Sequence, residues 1–165
     1  MTTDNAATDT AATGPEFRPA PPATELTEPF WAGGLSGELR LQQCANCGHI
    51  RYPVSTICPD CWSAGYDWTA MSGRGTVQSY IVFERAYHEA WADRVPYVVA
   101  LIELDEGPVL ISNVTGADPS AVRVGQPVTV VFERRSATAA LPQFTPLPAE
   151  PQVPEKEKEV PNDGS

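Results

Sequence analysis

Residues 44–61 read Cys44-Ala-Asn-Cys47-Gly-His-Ile-Arg-Tyr-Pro-Val-Ser-Thr-Ile-Cys58-Pro-Asp-Cys61, two C-x-x-C pairs separated by ten residues. Each pair folds into a tight knuckle whose two sulfurs converge. Gly48 suits the close turn after the second sulfur, and two facing knuckles make a tetrahedral thiolate site. Four thiolates around one divalent ion complete its shell, so the spacing predicts a structural metal and argues against Lewis-acid hydrolysis. A redox dithiol needs only one such pair. Zinc is preferred over a rubredoxin-type iron on intracellular base rate, since both accept four sulfurs.

The start, MTTDNAATDT, has neither the basic nor the apolar region of a signal peptide, and no apolar run is long enough to span a bilayer. The expectation is a cytoplasmic protein with no membrane partner, a compartment in which structural disulfides are disfavoured. At 165 residues the chain has room for one ordinary core and a small satellite. Its formal charge is -10, from 11 Lys+Arg against 21 Asp+Glu. Over residues 25–145 there are 13 acidic and 8 basic residues, and four thiolates on a divalent ion add negative charge. A single-strand binder needs a basic groove interleaved with stacking aromatics, and only the aromatics are here, so nucleic acid is not expected as a partner.

Nine of the 17 prolines lie in residues 1–24 and 146–165, segments with few apolar side chains to offset ordering entropy. These read as a disordered arm and a disordered Pro/Glu/Lys tail. Residues 25–65 hold a short helix and the cysteine ribbon. Thr27 is placed to cap that helix, Pro29 suits its first turn, Phe30, Trp31 and Leu35 are candidates for one face, and Gly33 and Gly34 are expected to keep it short. Leu39 and Leu41 alternate with polar neighbours and lead as a strand into Cys44.

Residues 66–145 follow period two. Strands are predicted at 76–85, 97–104, 109–114 and 127–133, with a short fifth at 141–145. The turn Asp105-Glu106-Gly107-Pro108 makes the second and third a hairpin, and Gly73 and Gly75 mark a bend. Five short antiparallel strands fit a small, partly open Greek-key barrel of the OB type better than a sandwich, so the fold class is mainly β, a zinc ribbon followed by an OB barrel.

Outside the cysteines, the loop 86–96 (AYHEAWADRVP) stands out, with Tyr87, His88, Glu89 and Trp91 close together. Tyr87, His88 and Trp91 are the candidates to contact a ligand or a partner, as exposed loop aromatics do; the alternative is that Tyr87 and Trp91 plug a barrel end. His88 and Glu89 are adjacent and complete no catalytic set, and His49 reads as a neighbour of the metal shell. Arg74, on a glycine-flanked turn, and Arg134 with Arg135, at a strand end, are candidates for an anion or a partner carboxylate. No nucleophile elbow, P-loop or dinucleotide-binding glycine pattern is present.

The order of parts, Phe30-Trp31, then QQCANCGHIRYP, CPDCW, SGRGTVQSY, VPYVVALIELDEGP, VRVGQPVTVVFE and LPQF, resembles the zinc-ribbon/OB-fold proteins that accompany thiolase-like enzymes, over residues 25–145. The resemblance implies a non-catalytic accessory subunit in a hetero-oligomer, helping a thiolase-superfamily partner hold an acyl-CoA thioester. It places one structural Zn2+ on Cys44, Cys47, Cys58 and Cys61, assigns no catalytic residue, and departs from the family pattern at Trp62, where many ribbons have a second knuckle glycine. An all-arginine, alanine-rich core looks actinobacterial, and the actinobacterial members that the chain resembles serve lipid-transfer-protein-like aldolases in steroid side-chain degradation. Two other readings remain open here: an acyl-CoA enzyme in its own right, and a single-strand-binding OB protein.

Overall fold

The structure, a computed structural model, describes residues 23–148. Most of the proposed arm and tail therefore lie outside the described residues. Where the described chain begins, Thr24 already belongs to the fold, since its carbonyl accepts from the Thr27 and Glu28 amides at 3.0 and 2.7 Å. At the other end Pro146 completes the last strand and the Leu147 amide bonds the Pro127 carbonyl at 3.0 Å, so both belong to the barrel and not to a tail.

Helix α1 (Glu28–Leu35) starts at Thr27, but the Thr27 side chain does not cap it: Thr27 Oγ1 accepts from the Thr24 amide at 3.0 Å instead. Its buried face is Phe30, Gly33 and Gly34, whereas Leu35 is exposed. The helix is short as expected, ending one residue after the two glycines, and they also allow close approach, Gly33 to Glu38 and Arg40 and Gly34 to the barrel. A Cβ on Gly34 would stand 2.7 Å from the Ala140 carbonyl oxygen and 3.1 Å from Phe132 Cδ1.

The ribbon is a three-stranded antiparallel sheet in the order β2-β1-β3, from β1 (Arg40–Cys44), β2 (Ile50–Arg51) and β3 (Tyr66–Ala70). Residues 66–70 were expected on the barrel side of the boundary. Their backbone instead pairs with β1 along its whole length, from Cys44↔Tyr66 to Arg40↔Ala70. Period-two alternation marks a strand but does not say which sheet it joins.

The barrel comprises β4 (Arg74–Phe83), β5 (Tyr97–Leu104), β6 (Val109–Val114), β7 (Pro127–Arg134) and β8 (Ala140–Pro146) in the closed order β4-β5-β6-β8-β7. It is closed where a partly open barrel was expected, though narrowly: β6 and β8 run parallel and share the single ladder pair Val114↔Phe144, reinforced by the Thr115 amide on the Phe144 carbonyl at 2.7 Å. Inward residues Val77, Val98, Ala100, Ile102, Leu104, Leu110, Val128 and Phe144 form the core, which continues into Phe30, Leu39 and Leu41 of the helix and ribbon. Among the described residues no helix is long and apolar enough to cross a membrane.

Outward residues of β4, β5 and β6 break the usual alternation. Antiparallel sheets with one solvated face carry polar residues on it. Here the register aligns Ile81↔Val99, Phe83↔Tyr97 and Leu101↔Ile111 on that face, and Ile81, Leu101, Val109 and Ile111 are exposed.

Candidate metal centre and barrel-end cluster

Cys44 ends β1, Cys47 and Gly48 close the first knuckle, and Cys58 to Cys61 form the second. The two turns are built alike: the Gly48 amide bonds the Cys44 carbonyl at 2.9 Å and the Trp62 amide bonds the Cys58 carbonyl at 3.0 Å. Each has a left-handed residue after its second cysteine, Gly48 at φ 79° and Trp62 at φ 60°. Trp62 thus takes the glycine conformation, against the steric preference of a bulky side chain.

The four sulfurs lie within 4.8 Å of one another, with Cys44 Sγ 3.5 Å from Cys61 Sγ and Cys47 Sγ 3.7 Å from Cys58 Sγ. A tetrahedral ion with ~2.3 Å metal–sulfur bonds has sulfur–sulfur edges of about 3.8 Å, so the donors fit one ion. Their ionisation agrees. The Cys47 amide and further donors, the Asn46 amide, the Cys61 thiol and the Arg51 guanidinium, bring the Cys44 thiol down to about 5. The His49 amide lowers Cys47, but hydrogen bonding with the Cys61, Cys44 and Cys58 thiols and burial outweigh it and push Cys47 up to about 12. Neighbouring thiolates resist joint ionisation, and a divalent cation removes that resistance.

Around the sulfurs, His49 Nδ1 stands 2.7 Å from Asp60 Oδ2, joining one knuckle to the other. Sequence reasoning missed two buried polar residues, Gln42, whose side-chain oxygen accepts from the Ser55 amide at 2.9 Å, and Arg51. Arg51 is buried at the base of the site, donating to the carbonyls of Ser55 at 3.1 Å and Gly65 at 2.9 Å, with its guanidinium over the Tyr66 ring. Its only trace in the sequence is one charge between the apolar residues Ile50 and Tyr52.

At the barrel end, Trp91 lies on a 3₁₀ turn (Glu89–Trp91) and folds down against Tyr97, ring centroids 5.8 Å apart. Tyr97 stacks on Phe83 at 4.9 Å, and Tyr87 meets the edge of Phe83 while remaining 80% exposed. In loop 86–96 Trp91 packs on the barrel while Tyr87 faces outward. His88 Nδ1 accepts from the Ala90 amide at 3.1 Å, so His88 caps the turn.

Arg134 ends β7 and Arg135 follows it, and the two side chains take different partners. Arg135 lies 5.7 Å from the Trp91 ring and 3.4 Å from Glu133, whereas Arg134 is exposed and bonds the Ser136 carbonyl. Glu133 also meets Arg94 at 3.3 Å and accepts from Gln143. These partners could not be read from the sequence, since they come from three separate segments. Arg74 stands apart, 3.6 Å from Asp105 at the β5–β6 turn. That is the opposite end of β5 from Tyr97, on the order of 20 Å along the strand.

Two shallow cavities flank the β6–β8 seam. One of about 160 Å³ is lined by Trp91, Arg94, Tyr97, Asn113 and Gln143 among others, and one of about 190 Å³ by Phe30, Trp31, Tyr52, Ile111, Asn113 and Gln143 among others. Neither sets a nucleophile beside a base.

A four-cysteine ribbon joined to a closed five-stranded OB barrel defines the class of protein. Residues 31–67 match the family model described as the ChsH2 rubredoxin-like zinc ribbon domain and residues 68–133 that of the ChsH2 C-terminal OB-fold domain. The chain is 36% identical over 93 residues to a DUF35 domain-containing scaffold protein of Methanothermobacter thermautotrophicus, covering 56% of this chain and 69% of the relative. It belongs to the DUF35 family of zinc-ribbon/OB-fold proteins.

It is also 35% identical over 121 residues to the 3-oxo-4,17-pregnadiene-20-carboxyl-CoA hydratase alpha subunit of Mycobacterium tuberculosis, covering 72% of this chain and 37% of the subunit. The chain spans about two fifths of the length of the hydratase alpha subunits that it matches. Among solved structures, a chain described as Ltp2-ChsH2(DUF35) aldolase superposes with a TM-score of 0.69 at 34% identity, covering 77% of this chain and 98% of that one.

Proposed function

We propose that this chain is a non-catalytic accessory subunit that docks on a thiolase-superfamily enzyme and helps hold an acyl-CoA thioester, in steroid side-chain retro-aldol cleavage. The observation that carries the reading is the outward face of β4–β6, apolar where a solvated sheet face is ordinarily polar, continuous with the Phe83–Tyr97 stack and exposed Tyr87. A face of this kind gains stability when another protein covers it. The relatives agree with such an assembly: one similar chain was solved as part of an aldolase named for two components, and another similar protein is named for a steroid-CoA substrate.

The chemistry points the same way. Making or cleaving a carbon–carbon bond beside a thioester needs a placed base and often a thiol nucleophile. The four thiols converge on one metal site, taken as Zn2+, and His88 is spent on a cap. The geometric contribution assigned to the barrel is to wall the CoA channel and exclude water. Arg74 or the Arg134–Arg135 pair lies near the phosphates, and the loop from Tyr87 to Trp91 lies against the acyl part or the partner surface. Hydratase activity of its own is the second reading, favoured by the names of two relatives, of whose length this chain represents about two fifths.

The test is to purify the tagged chain from its own host and identify what comes with it. A thiolase-like enzyme in stoichiometric amount is expected; a chain that purifies alone, or with nucleic acid, contradicts the proposal.

A further inference from the structure

Trp62 is at odds with the fold that carries it. Its backbone adopts φ 60°, the left-handed region that Gly48 occupies at φ 79° in the matching turn of the other knuckle. L side chains adopt that region at a cost, and for a bulky residue it is an outlier. The indole does not recover the cost inside the chain, because Trp62 is 80% exposed. Glycine would serve this turn better. In the isolated protein the tryptophan therefore combines local strain with an apolar ring left in water.

Strain of this kind is retained where it serves a site, and a rigid, exposed aromatic is the side chain that most often anchors a protein–protein contact. The metal-centred knuckle fixes the backbone beneath Trp62, so the ring is presented with little conformational entropy left to lose on docking. In the same knuckle Asp60 is more than half exposed while meeting His49, Asp67 on β3 is exposed, and the thiolate site retains negative charge once loaded. Arg51, the cation at the base of the metal site, is buried.

We infer that Trp62 is an anchor for the partner enzyme, inserted in an apolar pocket that has a basic rim on the thiolase-like subunit. The inference rests on the accessory-subunit reading and extends it from the barrel to the ribbon: the partner is gripped at two places, the β4–β6 face and the tip of the second knuckle. A ring held for the chain's own stability predicts the opposite response to substitution.

The test uses the full zinc-loaded chain and the thiolase-like enzyme captured with it. Trp62→Gly and Trp62→Asn, both tolerant of the left-handed backbone, are compared with wild type for metal content, melting temperature and affinity for that enzyme. Expected are unchanged metal, a melting temperature equal to or above wild type, and affinity reduced tenfold or more in both variants. Variants that melt lower or lose metal show that Trp62 serves the ribbon itself and overturn the inference, as does undiminished binding. Self-association of the wild type that Trp62→Gly abolishes also overturns it, by making a second copy the occupant. If wild type captures no thiolase-like enzyme, the accessory-subunit reading fails first, and the anchor with it.

Discussion

The Arg51 guanidinium donates to the Gly65 carbonyl at 2.9 Å from a side chain only 2% exposed, tying β2 to the chain that leaves the second knuckle. It also reaches the Ser55 and Ser63 carbonyls, at 3.1 and 3.4 Å. One buried cation thus organises both the ten-residue arm between the cysteine pairs and the exit from the metal site, and its charge lies beside a cluster of thiolates.

Replacing Arg51 by leucine strands those carbonyls and removes the neighbouring positive charge. A loss of about 3 kcal/mol in ribbon stability is expected, in line with removing one member of a buried charged network. Chelator competition should show faster zinc release. Arg51→Lys should recover only part of this, because an ammonium does not present the planar fork that serves several carbonyls at once.

Metal loading should release protons. Without metal, Cys44 at about 5 is a thiolate at pH 7, while Cys47 at about 12 still holds its proton. The metal-free form binds more protons than the loaded form, so affinity must rise with pH. Titration calorimetry in buffers of different ionisation enthalpy should report at least one proton released per zinc at pH 7. Metal analysis should return about one equivalent per chain, and a chelator should unfold the ribbon while the barrel keeps its own cooperative transition.

Gly34→Ala tests the seat of the helix. In an exposed helix interior this change stabilises by about 1 kcal/mol. Here the new methyl would stand 2.7 Å from the Ala140 carbonyl oxygen, so the sign should reverse, with a destabilisation on the order of 1–3 kcal/mol in denaturant unfolding.

How much of this could be read from the sequence differs from part to part. The cysteine spacing suffices for the metal centre because both knuckles are local turns. The barrel strands are legible because their inward residues repeat with period two. What escaped depends on partners distant in the chain: Tyr66 to Ala70 alternate equally well in either sheet, and Trp91, before β5, meets Arg135, which follows β7. Gly34 reads as a helix breaker until Ala140 is seen against it. Trp62 could be singled out as a departure from a pattern, but its exposure and backbone were needed to give it a meaning.

Ile111→Asp separates docking from folding. Ile111 is 65% exposed, so a carboxylate there should change the melting temperature by no more than about 2 °C, the effect of a few tenths of a kcal/mol. A charge in the middle of a covered apolar face should weaken capture of the partner at least tenfold. Trp91→Ala should weaken capture or raise the apparent KM with the metal still in place.

The central claim is that the chemistry belongs to the partner and that this chain is needed to express it. The most direct test is steady-state carbon–carbon bond cleavage of a steroid side-chain acyl-CoA by the zinc-loaded chain alone, by the captured enzyme alone and by the two combined. The account predicts turnover only in the combined sample, titrating to saturation at a fixed ratio of the two chains. Turnover by the isolated chain, or full activity of the partner without it, would contradict the account.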